Sequence, residues 1–153
     1  MVEKMTHSNQ KINEILEQFK EYLNGEEARE HLERMEKEKT EVKELMSKLS
    51  QMDNKSSEFV EWVLYGLLPY SKSKFTKRIS LFHSFMNIKE FFKSYSYTDE
   101  EWGIIANKIF DLCRNFQNNP EKLSEFIKNF TEDRYSRRLQ TGSITPILFC
   151  IND

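Results

Sequence analysis

Glycine and proline, the residues that punctuate a chain, number only four and three among 153 positions. Glycine supplies the backbone conformations of tight turns and proline interrupts helices and ladders, so a sequence this poor in both cannot make the closely spaced turns of a sandwich or barrel. Long helices remain. With 38% apolar and 31% charged residues, the expected fold is mainly α, and the length suits about one ordinary domain.

The large side chains are unevenly placed. Twelve Phe, six Tyr and two Trp are present, and before Phe59 the aromatics are only Phe19 and Tyr22. Residues 1–56 hold 10 basic and 13 acidic groups, a net of −3, while residues 57–153 hold 13 and 12, a net of +1. The polar string Asp53-Asn54-Lys55-Ser56-Ser57 separates the two compositions and marks the expected boundary. A Glu/Lys-rich helical hairpin or coiled coil over 1–56 is predicted to precede an aromatic-rich helical domain over 57–153.

In the first half Ile12, Ile15, Leu16, Phe19, Tyr22 and Leu23 recur at steps of three and four, one face of a helix that Asn24-Gly25 should end. The spacing resumes at Ala28, Leu32, Met35, Lys39, Val42, Met46 and Leu49, a stripe of three heptads. Such a narrow stripe needs a cover. The first helix folded back on it, the second half of the chain, or another copy would each serve, and Leu32, Met35, Val42, Met46 and Leu49 are the candidate self-association residues of a homodimer. Lys39 interrupts the stripe, either to set register or to reach out from an ordinary helix face.

In the second half a helix capped by Ser57 and carrying Phe59, Val60, Trp62, Val63, Leu64, Leu67 and Leu68 is apolar on most of its circumference, hence central and buried, with Pro69 as its stop. Asn87 is placed to cap a short helix through Ile88, Phe91 and Phe92. Thr98-Asp99-Glu100-Glu101 fits a capping box, followed by a helix to Asn118-Asn119. Pro120 opens another with Leu123, Phe126, Ile127 and Phe130 on one face. The β-branched run Ile144-Thr145-Pro146-Ile147-Leu148-Phe149-Cys150-Ile151 is expected as a buried strand or extended segment, because Pro146 disfavours a helix. The lack of a polar tail after it suits a unit that continues beyond Asn152-Asp153.

Most catalytic constellations are missing. Gly25, Gly66, Gly103 and Gly142 are scattered, so no phosphate-cradling loop or dinucleotide fingerprint can be built. His7, His31 and His83 pair with no cysteine at metal-ligand spacing, and no cofactor or metal is expected. Glu41-Val42-Lys43 has the form of the last element of a nuclease site, but in a Glu/Lys-rich helix it reads as surface charge pairing. Cys113 could act as a nucleophile only if the fold brought it to His83; as a small apolar residue it belongs in a core. A non-enzyme is the expectation. Two distant cysteines among apolar neighbours indicate reduced thiols, and no signal peptide or run near 20 apolar residues is present, so a cytoplasmic protein without membrane contact is expected.

The strongest chemical signal is electrostatic. Over residues 70–95, Lys72, Lys74, Lys77, Arg78, Lys89 and Lys93 face the single acid Glu90, and Tyr70, Phe75, Tyr95 and Tyr97 lie among or beside them. Cations neutralise phosphates and aromatic rings stack on bases, so this segment with Arg134, Arg137 and Arg138 is the candidate nucleic-acid surface; the alternative is a solvated loop.

The segments Phe59-Val60-Glu61-Trp62 through Leu67-Leu68-Pro69, Lys77-Arg78-Ile79-Ser80, Asn87-Ile88-Lys89-Glu90-Phe91-Phe92 and Leu139-Gln140-Thr141-Gly142-Ser143-Ile144-Thr145-Pro146-Ile147-Leu148 together resemble a region upstream of the motor in McrB-like AAA+ restriction proteins. The likeness spans roughly residues 57–153. It implies a GTP-driven phage-defence complex that recognises modified DNA and recruits a nuclease subunit. Nucleotide binding does not carry over, because neither the phosphate loop nor the magnesium-holding acid has a counterpart here. What the resemblance implies for this chain is a non-catalytic accessory or DNA-binding module working beside an AAA+ restriction subunit, with Lys77, Arg78 and Lys89 matching the pattern in position. The competing expectation is a structural adaptor that self-associates and binds protein through its N-terminal helices.

Overall fold

The computed structural model describes residues 2–67, 96–137, 139 and 141–151. The expected stop at Pro69, the basic loop over 70–80, the cap at Asn87 and the helix through Ile88, Phe91 and Phe92 lie outside them. The described residues are mainly helical, with no strand among them, in keeping with the scarcity of turn residues. They divide into two compact units, 1–36 and 37–153.

The first unit holds α1, Val2–Leu23, and the start of α2, Glu26–Ser50. Asn24 and Gly25 close the last turn of α1 by donating to the carbonyls of Lys20 at 3.1 Å and Tyr22 at 3.0 Å. A Cβ at Gly25 would sit 3.2 Å from the Tyr22 carbonyl oxygen, a tight approach that glycine avoids. Glu26 and Glu27 then lie in the first turn of α2 and Lys20 in the last turn of α1, each opposite in sign to the local helix-end charge.

The division inside α2 differs from the compositional boundary at 56/57. Composition changes where the aromatics begin, whereas packing changes where the stripe of α2 finds a cover. From Val42 onward that stripe is core: Val42, Leu45, Met46 and Leu49 are buried in one cluster with Phe59, Leu64 and Ile109. Lys39 lies at the edge of this region with its ammonium over the Phe149 ring, 5.1 Å from the ring centre, a cation–π contact.

Asp53 organises the link to the next helix, accepting the Lys55 N–H on Oδ1 at 3.0 Å, and its carbonyl accepts the Ser56 hydroxyl at 2.7 Å. The cap of α3, Ser57–Trp62, is Ser56 rather than Ser57: its hydroxyl accepts the Phe59 N–H at 3.1 Å. The chain continues as a π-helical stretch, Val63–Leu67, with Val63, Leu64, Gly66 and Leu67 buried, the central helix expected from its nearly all-apolar surface.

The longest helix of the second unit's own core is α4, Asp99–Asn118, and the capping box is present as read. The Thr98 hydroxyl accepts from the Glu101 N–H at 3.2 Å, and the Glu101 carboxylate accepts from the Thr98 N–H at 2.8 Å. Helix α4 packs against α3, the π-helical stretch and both helices that follow it. Its Phe110 meets Phe59 edge-to-face, with centroids 5.4 Å apart. Pro120 opens a 3₁₀ turn, Pro120–Lys122, leading to α5, Leu123–Glu132.

The C-terminal segment corrects the expectation of a strand or extended run. Residues Thr141–Ile151 form α6. Proline within a helix costs about 3 kcal/mol through its missing N–H and a clash with the preceding turn. Burying Ile144, Ile147, Leu148 and Ile151 contributes about 1.5–3 kcal/mol each and outweighs it. Local propensity yields to the chance to cover the core.

Candidate functional site

Two surfaces carry chemistry among the described residues: a polar cleft in the second unit and the apolar face of α1.

The cleft, about 240 Å³, is lined by Lys108, Asp111 and Asn115 of α4, Phe126 and Asn129 of α5, and Asp133 and Ser136 of the turn after it. Its chemistry is dominated by Asp133. One carboxylate oxygen lies 2.7 Å from the Lys108 ammonium; the other accepts the N–H groups of Tyr135 at 2.8 Å and Ser136 at 3.3 Å. The buried Ser136 hydroxyl donates to the Phe130 carbonyl at 2.5 Å. Burial alone would push Asp133 upward, but the hydrogen bonds from Lys108, Tyr135 and Ser136 prevail and hold the carboxyl below its ordinary range. Asp111 moves the other way: burial raises it, against the opposing pull of Arg114 and Lys108. Asp133 is thus committed to fastening the end of α5 to α4, and the cleft falls below the roughly 300 Å³ at which small-molecule sites begin.

Sequence reasoning missed this network. Its only local signal is an aspartate at a helix end followed by Tyr135 and Ser136, an Asx turn; the pairing with Lys108 is long-range.

A broader hollow of about 770 Å³ shares Lys108 and Asp111 with the cleft and extends past Gly103, Asn107 and Val60 to Lys55 and Ser57. The Asn107 amide donates to the carbonyls of Asn54 and Gly103, both at 2.9 Å, tying the 53–56 link to α4. Mixed charges line the hollow: Asp99, Glu100 and Asp111 with Lys55 and Lys108. Among the described residues no group of three His, Cys, Asp or Glu is placed to hold a metal ion.

Of the candidate cations, Lys72, Lys74, Lys77, Arg78, Lys89, Lys93 and Arg138 lie outside the described residues. Arg134 and Arg137 are exposed on the turn after α5, Arg134 with its guanidinium 5.6 Å from the Tyr135 ring centre. Cys113 and Cys150 are buried thiols, and burial pushes Cys113 up to about 12, far from the thiolate a nucleophile needs. No helix of the described residues is long and apolar enough to cross a membrane.

The self-association residues separate into two groups. Val42, Met46 and Leu49 are buried in the core of the second unit and are not on a surface another copy could reach, which corrects their assignment to such a surface. Met35 is half-buried and Leu32 is exposed. The hairpin alternative is not confirmed: Ile12, Ile15, Leu16, Phe19, Tyr22 and Leu23, the residues it would cover, keep between 43 and 63% of their surface exposed. The periodicity had located this face, but not that it stays uncovered.

No family model, curated protein or solved structure matches this chain.

Proposed function

We propose that the protein is an interaction module, an adaptor whose helix α1 docks a partner while the second unit serves as the folded body. One observation carries this reading. Six large apolar side chains share one face of α1 and remain about half exposed, and contiguous apolar patches of this size mark interaction surfaces on folded proteins. The polar groups best placed for chemistry in the second unit, Lys108 and Asp133, are engaged with each other.

The test is site-specific photocrosslinking in cells. A photoreactive residue at position 15, on the apolar face, is expected to give discrete adducts, and one at position 17, on the opposite face, is expected to give none. Absence of adducts from position 15 at native expression would remove the reading.

A second reading is supported by a separate observation, the exposure of Arg134 and Arg137 on one turn in a chain with six further cations over residues 70–95. It is the accessory or DNA-binding role beside an AAA+ restriction subunit implied by the McrB-like resemblance, with phosphate attraction as its mechanism. Binding to duplex DNA that weakens steeply with salt supports it; no binding at low ionic strength removes it.

A further inference from the structure

The apolar face of α1 has a charge layout that narrows the choice of partner. At 100° per residue, Glu14, Glu17 and Glu21 fall on the side of the helix opposite Ile15, Phe19 and Tyr22. The edges of the apolar face carry Lys11 and Gln18 on one side, Asn13 and Lys20 on the other. Two such faces can therefore meet without opposing carboxylates, and Lys20 turns away from the apolar face to Glu17, its ammonium 2.9 Å from that carboxylate.

The area fits a pair of identical faces. Two aromatic and four aliphatic side chains, about half exposed, offer at most on the order of 600 Å² per helix, taking roughly 200 Å² for each when fully uncovered. Two copies would bury about 1,200 Å² in all, the lower end of the range for specific, stable protein complexes. Phe19 and Tyr22 supply the kind of aromatic anchors that dominate such contacts.

We infer that the apolar face of α1 pairs with the same face of a second copy of this chain, giving a two-fold symmetric dimer. This rests on the reading of α1 as a docking surface and adds the identity of the occupant. The contact is isologous, with each residue of one copy meeting its counterpart's neighbours on the other, and it closes at two chains. The stripe in the later part of α2 takes no part, since its residues are already buried within their own chain.

Sedimentation equilibrium of the full chain from about 1 to about 200 μM tests the inference. The weight-average mass should rise from one chain toward two and go no further. The double substitution Ile15→Glu with Phe19→Glu should weaken association at least roughly 30-fold, with far-UV circular dichroism unchanged. Phe19→Ala should act in the same direction by a smaller factor, and Glu14→Gln on the opposite face should leave the dissociation constant where it was. A chain that stays monomeric throughout overturns the inference, as does a dimer indifferent to both face variants. If the chain is monomeric yet position 15 crosslinks to another protein, the docking role survives and only the second copy is lost; if position 15 gives no adduct either, both fall.

Discussion

Helices α1 and α4 are of similar length, 22 and 20 residues, and both repeat apolar residues at three and four. In α4 that face is the middle of a core: Trp102, Ile105, Ala106, Ile109, Phe110, Leu112, Cys113 and Phe116 are all buried. In α1 the face stays half exposed. Periodicity thus tells which side of a helix wants to leave water; what takes it out of water is decided elsewhere in the chain. Helix α4 is surrounded by α3, α5 and α6, each bringing its own apolar stripe, whereas the one other helix in the first unit begins with Glu26-Glu27 and offers Leu32 as an exposed residue.

Paired truncations would break or confirm that contrast most directly. Phe59→Ala removes a fully buried ring packed on Phe110 and should cost about 3–5 kcal/mol of unfolding free energy. Phe19→Ala, measured by the same urea titration in dilute solution, should stay within about 0.5 kcal/mol of the parent. Comparable losses at both positions would mean that the two faces are equally buried.

The same comparison can be drawn inside a single helix. Leu32 and Leu49 both lie on the stripe of α2, at 54% and 1% exposure. Leu49→Ala should cost about 2–5 kcal/mol, and Leu32→Ala about 0.5 kcal/mol or less. Equal effects would show that the stripe is one uniform seam and that the division between 36 and 37 has no energetic meaning.

These contrasts locate what could be read from the sequence. The capping box and the helix ends at Asn24-Gly25 and Pro120 were legible, because they act on backbone groups within a few residues of themselves, whereas the cap of α3 fell on Ser56, one residue before the Ser57 expected. The central burial of Phe59, Val63, Leu64 and Leu67 was legible too, since a helix apolar on nearly all sides has nowhere else to go. Helix α6 was not: Ile144, Ile147 and Ile151 have the side chains of a strand, and their helical form depends on burial in the core rather than on any neighbour in sequence. Of the candidate site, the face of α1 could be found by counting, but its exposure could not. The Lys108–Asp133 pair joins residues of two different helical segments, and no short-range pattern encodes it.

A smaller effect tests the local side of this distinction. Thr98→Ala removes the hydroxyl that accepts the Glu101 N–H and should cost about 1 kcal/mol. Amide exchange at Glu101 should accelerate while that at Ile109, in the middle of α4, changes only by the global loss of stability. Unchanged exchange at Glu101 would mean that the capping box does not fix the start of the helix.

The smallest effect concerns the long-range pair. Because the fold favours the ionised form of Asp133, its contribution to stability is present above the unfolded carboxyl value of about 4 and is lost as pH falls through the lower folded value. Asp111 has the opposite sign, its raised value making the fold more tolerant of acid down to the unfolded value. Asp133→Asn keeps an acceptor for the Tyr135 and Ser136 N–H groups and removes the charge facing Lys108, so it isolates the ion pair. With the two side chains 34% and 28% exposed, water and salt screen the interaction, and the loss at pH 7 should be under about 1 kcal/mol. The difference in unfolding free energy between parent and Asp133→Asn should shrink as pH falls below about 4, and it should shrink at neutral pH on adding salt. A gap that stays constant through both titrations would assign the stabilisation to the turn's hydrogen bonds alone, leaving the tie between α4 and α5 to packing, as in the rest of the core.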